Sequence, residues 1–209
     1  MRDLIIFLWR AFKFLLVLLV IVCVAALAVP VQLGVTGRSQ YPTLPNGCEA
    51  VAAETFAQQY LPKAAVGSGV NPTAAYIGDP FGDGYYCYPQ ALVSGINSFL
   101  ESQPTTLEAK THPLTTASEI ALRLHLTKKP VIVWTTVDDK LAARDEASVW
   151  QIDGREYHPY KNLHAVVIDG VSGFRVHLVD SVNGERWMSL VKFIPLYYSM
   201  GLRAVTFTD

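Results

Sequence analysis

Apolar and polar positions divide the chain into three patterns. Residues Phe14 to Val29, "FLLVLLVIVCVAALAV", form an unbroken apolar run that Leu4 to Trp9 extend toward the N-terminus. The run alone is slightly shorter than the roughly 20 residues that cross a bilayer. With that extension, and with Arg10 and Lys13 snorkelling toward headgroups, it becomes long enough. The second pattern is helical. From Asn46 to about Tyr60 an asparagine can cap, Glu49 stands three residues on and Pro62 stops the run. Pro89 to about Leu100 has proline in its first turn, and "TTASEIALRLHLTKK" has hydroxyl residues before it and lysines at its end. Residues 63–88 between these helices are crowded with turn residues and read as loop.

The third pattern is strand-like. "PVIVWTT" (Pro130 to Thr136) is a β-branched run suited to a buried central strand, and Trp150 to Ile152 predicts another before the turn "DGRE". "HAVVIDGV", the pair Ser172-Gly173 and "FRVHLVD" predict a hairpin. "GERWMSL" predicts a meander strand, "SLVKFIPLYYSMG" a short helix or turn, and "LRAVTFT" a closing strand. Helices followed by an antiparallel sheet define an α+β domain with segregated layers. The organisation is an N-terminal transmembrane anchor or signal peptide over 1–30, a linker over 31–45 that begins the folded domain, and the domain proper over 46–209.

Charge adds direction. Arg2, Arg10 and Lys13 precede the apolar run and the next basic residue is Arg38, so the positive-inside rule puts the N-terminus in the cytoplasm and the domain outside. Ala26-Leu27-Ala28 offers a competing cleavage site, which would make the product secreted. The net charge is −1, without a lysine- or arginine-rich block, so nucleic acid is not an expected partner. The bilayer is one expected partner, through the N-terminal helix. The chain has three cysteines and neither a paired CxxC nor an HExxH, so no metal or other cofactor is expected.

Cys23 falls inside the apolar run, which leaves Cys48 and Cys87. Outside the cytoplasm these two can form a disulfide, which would consume a catalytic thiol. Alternatively Cys48, in the first turn of the predicted helix, is placed where unpaired N–H groups favour a thiolate. Gly47 before it is expected to leave room for a substrate. Glu49 opposes a thiolate; its value at the helix start accounts for it if its side chain points away from the sulfur. A base is also required. His112 and His125 read as surface or packing residues, His158 lies in a loop, and His177 lies on the strand face opposite Asp180. His164 opens the hairpin, and pairing about Ser172-Gly173 brings it nearly opposite Asp180, close enough for a carboxylate to hold the imidazole. The plainer reading is that both cap strand ends. Asp169, near the turn, is expected to support the hairpin, and Trp134 and Trp150 to be core.

In order, "SQYPTLPNGCEAVA", "GDPFGDGYYCYPQAL", "KPVIVWTT", "HAVVIDGV" and "VHLVDSVNG" resemble the cysteine peptidases related to the bacteriocin-processing, double-glycine-leader endopeptidases (peptidase family C39) of the papain-like superfamily. The resemblance runs from Gln40 to about Phe207. It implies a papain-like fold, with Cys48 as nucleophile, His164 as base, Asp180 as orienting acid and Gln40 in the oxyanion hole. Cys87 then reads as a packing residue. No Walker-type glycine loop or transporter segment accompanies the motifs, so a free-standing, membrane-tethered bacterial peptidase acting on peptide or amide bonds is the expectation rather than leader processing. A peptidoglycan amidase or transpeptidase, acting on a peptidoglycan-like substrate, would use the same residues. A non-catalytic binding module of a membrane export system is the alternative from another class.

Overall fold

Ten-residue strand β6 (Leu163–Ser172) is the axis on which the other elements assemble. The structure, a computed structural model, describes residues 2–60, 88–152 and 155–209. The segment read as loop therefore lies, apart from Tyr88, outside the described residues, and so does Cys87.

In chain order the elements are α1 (Arg2–Ala28), β1 (Val31–Gln32), α2 (Cys48–Tyr60), α3 (Pro89–Leu100), β2 (Glu108–His112), α4 (Ala117–Thr127), β3 (Val131–Thr136), β4 (Trp150–Ile152), β5 (Arg155–Tyr157), β6, β7 (Arg175–Val179), β8 (Arg186–Ser189), α5 (Leu190–Ser199) and β9 (Ala204–Thr208). The main sheet has the order β2-β9-β3-β6-β7-β8, with β1 added on β6, and every pairing is antiparallel. A small ribbon pairs β4 with β5.

Helices cover both faces of the sheet, one pair on each. All six residues of β3 are buried, which requires cover on either side. Ile132 and Trp134 of β3, with Ala165 and Val167 of β6, pack against α2 and α3; Val131 and Val133, with Val166 and Ile168, pack against α4 and α5. The alternation follows from successive strand side chains pointing to opposite faces. The α+β class therefore holds, with the helices forming a layer on each face of the sheet. Trp134 is core, as expected.

Local signals account for most boundaries. Pro89 opens α3. Thr116 caps α4 and Glu119 reaches back to complete a capping box. Ser189 accepts from the Lys192 N–H at the start of α5. β2 is an additional strand: "EAKTH" carries only Ala109 inward, as suits a charged edge strand.

Helix α1 is long and apolar enough to cross a bilayer, with a mean hydropathy of 2.9 in its most apolar window. Residues 12–22 are exposed, and cover begins only near its C-terminal end. There Ala26 is buried in the core formed by α4 and α5. The Ala28 carbonyl accepts from Gly173 N–H at 3.1 Å, the Leu27 carbonyl from Phe174 N–H at 3.2 Å, and the Ala26 carbonyl lies 3.2 Å from His125 Nε2. These donors occupy carbonyls that a helix end otherwise leaves to water.

Candidate active site

Gly47 precedes α2, and the Val51 N–H closes the first turn onto its carbonyl at 2.8 Å. A Cβ at Gly47 would overlap the side chain of Leu44. Glycine is thus required by the tight turn before the helix, and the room it provides goes to Leu44 rather than to a substrate as the sequence reading had it.

Cys48 is the first residue of α2, a free thiol that is 6% exposed. Its sulfur donates to Glu49 Oε2 at 3.0 Å and accepts from Ala165 N–H at 3.4 Å. Glu49 is wholly buried. The expectation that its side chain points away from the sulfur is therefore corrected: residues 48 and 49 share one buried space, and the thiol is the donor within it. Burial pushes the Cys48 thiol up; Glu49's charge and hydrogen bond push it further, and the N–H groups of Ala165 and Glu49 only partly oppose this.

His164 lies on β6 opposite Thr135 of β3 and is 2% exposed. Its Nε2 lies 2.6 Å from Asp180 Oδ1. That carboxylate also accepts from the N–H groups of Val182 (2.8 Å) and Asn183 (3.0 Å), while Asn183 Nδ2 and Arg186 reach Oδ2. Burial pushes the Asp180 carboxyl up, but the bond and charge of His164 and the N–H groups of Asn183 and Val182 outweigh it, and the group sits well below the usual carboxylate range. With Nε2–H donated to the carboxylate, Nδ1 is the nitrogen left with a lone pair.

The route to this pairing differs in detail from the expected register. The turn is Gly173-Phe174, with Ser172 opposite Arg175, and a bulge at Asp169 shifts the pairing beyond it. The last pair is Val167 with Val179. Continued by one step, Asp180 faces Val166, so His164 reaches it diagonally, a separation that long side chains can span.

Gln40 is 3% exposed, buried although it lies in the linker before α2. Its Nε2 donates to the Pro45 carbonyl at 2.7 Å and its Oε1 accepts from Ser181 at 2.7 Å. Its backbone N–H meets the Ser181 carbonyl at 3.1 Å, so the linker is stitched to the residue after Asp180. One amide hydrogen remains beyond the Pro45 bond. Arg38 anchors the same linker to α2 through Glu54.

Gln40, Cys48 and His164 border one half-open cleft of about 420 Å3. Its opposite wall comes from the segment before β6, including Asp145, Tyr160 and Lys161. Arg144 lies over the Tyr160 ring at 3.8 Å, and Asn162 binds Asp138, Leu141 and Ala143 to hold this segment in place.

A second histidine–aspartate pair was not legible in the sequence. His177 Nδ1 lies 2.6 Å from Asp169 Oδ1, with Gln32 alongside and Asp169 Oδ2 accepting the Val35 N–H. The pair belongs to the linker's attachment, and the bulge that aims Asp169 there carries no residue signature. His112 contacts Arg123, His125 meets α1, and His158 stays on its loop near Glu146. Among the described residues no group of three or more His, Cys, Asp or Glu is arranged to hold a metal ion.

No family model matches the chain, and no curated protein matches it. A solved structure from Bacillus anthracis, described as a "putative C39-like peptidase", superposes with a TM-score of 0.65 at 19% identity, covering 87% of this chain and 98% of that one. At that identity the likeness speaks for architecture. The chain has the fold of a C39-like cysteine peptidase.

Proposed function

We propose that the protein is a membrane-anchored, extracytoplasmic thiol hydrolase that cleaves peptide or amide bonds with Cys48, His164, Asp180 and Gln40. The observation that carries this reading is the shared cleft, bordered by a helix-start cysteine and by a histidine whose Nε2 is held by a buried carboxylate. His164 Nδ1 takes the thiol proton and the sulfur attacks the substrate carbonyl carbon. The remaining Gln40 amide hydrogen and the Cys48 backbone N–H receive the oxyanion. The imidazolium then protonates the departing amine, leaving a thioester. Water, deprotonated by His164, releases the acid and restores the thiol. Asp180 fixes the tautomer and stabilises the imidazolium throughout.

Anchoring is supported by the seating of α1. The small residues that offer a cleavage site are the ones whose carbonyls the domain binds. The basic residues before the span support a cytoplasmic N-terminus.

One observation favours a non-catalytic binding module instead: the thiol is buried and its proton is directed to Glu49. The test uses the full chain in detergent with a thiol-directed acylating probe, a peptide library and peptidoglycan fragments. Hydrolysis that vanishes in Cys48→Ala and falls roughly 10²–10⁴-fold in His164→Ala supports the enzyme. With Cys23 and Cys87 replaced by serine, hydrolysis that survives Cys48→Ala, or a Cys48 reactivity indifferent to His164, overturns it. Peptide against glycan-linked products separates a general peptidase from a wall amidase.

A further inference from the structure

We propose that the end of the domain around the exit of α1 is a lipid-docking face, which seats the domain on the outer leaflet and turns the cleft away from it. This rests on the reading of α1 as a retained anchor. Only Val29 and Pro30 separate α1 from β1, whose residues pair with Val171 and Gly170 of β6. With its last carbonyls bound by Gly173, Phe174 and His125, α1 leaves the domain without slack. Whatever surface rings that exit must meet the bilayer into which the helix runs.

The ring exposes large apolar side chains with basic residues beside them. Phe174, half-exposed, stands at the tip of the β6–β7 turn. Val191, 87% exposed, follows Leu190, whose N–H binds the Phe174 carbonyl at 2.9 Å. Leu126, 72% exposed, follows His125 at the end of α4. Three elements remote in sequence thus place large apolar side chains beside the same helix end. Exposed Arg175 and Lys128 stand next to them, at the level where phosphate headgroups would lie.

Phe174 adds an independent sign. The two turn residues Gly173 and Phe174 have φ of 52° and 61°. Such turns ordinarily take Gly, Asn or Asp, and a bulky side chain at positive φ is strained. An aromatic kept at that cost, on the apex nearest the span, fits an interfacial anchor, since Phe, like Trp and Leu, buries its side chain at the headgroup–acyl boundary.

The geometry also bears on the substrate. From Ser172 at the turn to His164 at the cleft, β6 advances about 26 Å at roughly 3.3 Å per residue. The linker takes the same path, from Val31 beside Val171 to Gln40 beside Ser181. With the turn docked, the cleft would stand up to that distance from the lipid, within reach of polypeptide in the aqueous layer.

The test places photoreactive benzoylphenylalanine at Phe174, at Val191 or at the cleft-rim residue Tyr41, in the full chain reconstituted into phosphatidylethanolamine–phosphatidylglycerol vesicles. Lipid adducts from positions 174 and 191, with none from 41, are expected. A chain that alkaline carbonate strips from the vesicles overturns the anchor reading, and docking with it. A chain that resists stripping yet yields no lipid adducts at 174 and 191, or yields them equally at 41, overturns docking alone.

Discussion

Glu49 sets how hard the cleft's sulfur is to ionise. Burial comes first among the causes that raise the Cys48 thiol, and the adjacent carboxylate is the next and the easier to remove. A raised thiol pKa means that thiolate appears only at higher pH, so removing the charge moves its appearance downward. Glu49→Gln, which keeps a hydrogen-bond acceptor, should shift the pH profile of Cys48 alkylation to lower pH and raise its rate at neutrality several-fold. An unchanged profile would show that burial alone controls the sulfur. Asp180 works in the opposite sense. Its folded pKa is depressed, so its stabilising contribution is complete above the unfolded value of roughly 3.9 and is lost as pH falls toward the folded one. Asp180→Ala should cost about 3–5 kcal/mol, because His164 and two backbone N–H groups lose their acceptor. Chemical unfolding at pH 7 and at pH 3 checks both: the difference between wild type and variant should shrink in acid. At this scale the residue types and order of Cys48, His164 and Asp180 singled them out, the family resemblance added Gln40, and the structure places Gln40, Cys48 and His164 on one cleft with Asp180 behind the histidine. The Cys48–Glu49 bond was not, since neighbouring residues in sequence do not reveal where their side chains turn.

At the level of elements, the hairpin joins two roles that pull against each other. Its turn requires left-handed backbone at positions 173 and 174, which glycine satisfies and phenylalanine resists. Phe174→Gly should therefore raise stability by roughly 1 kcal/mol in thermal melts of the detergent-solubilised chain, while lowering the yield of lipid adducts from a photoreactive residue at 191. A fall in melting temperature would mean that the ring's packing outweighs the strain. The same hairpin shows why some elements could be read in advance. β3 and β6 are long β-branched runs, and α4 carries its own cap, so local preference and tertiary burial agree. The register around Asp169 could not be foreseen, because a bulge depends on what flanks the strand. β2 escaped notice because an edge strand with one inward alanine has no apolar alternation to detect.

Over the whole molecule, the two-sided cover of the sheet explains how a short α+β domain builds a site from distant pieces. α2 presses on β6 from one face while α4 and α5 support the other, so the histidine strand is fixed against the cysteine helix by core packing rather than by loops. Close packing of this kind means that a change in the core beneath β6 is felt at the cleft. The order of strands also imposes an order in time. β9, from the end of the described chain, lies between β2 and β3, so neither of those earlier strands has its full set of neighbours until Ala204–Thr208 arrives. Pairings this remote along the chain form late. On the proposed topology and activity, the emerging polypeptide would stay open and hydrolytically silent until β9 has crossed the membrane. A stop codon at position 204 should accordingly yield protein that proteases clear at once, because the gap that β9 fills between β2 and β3 stays open.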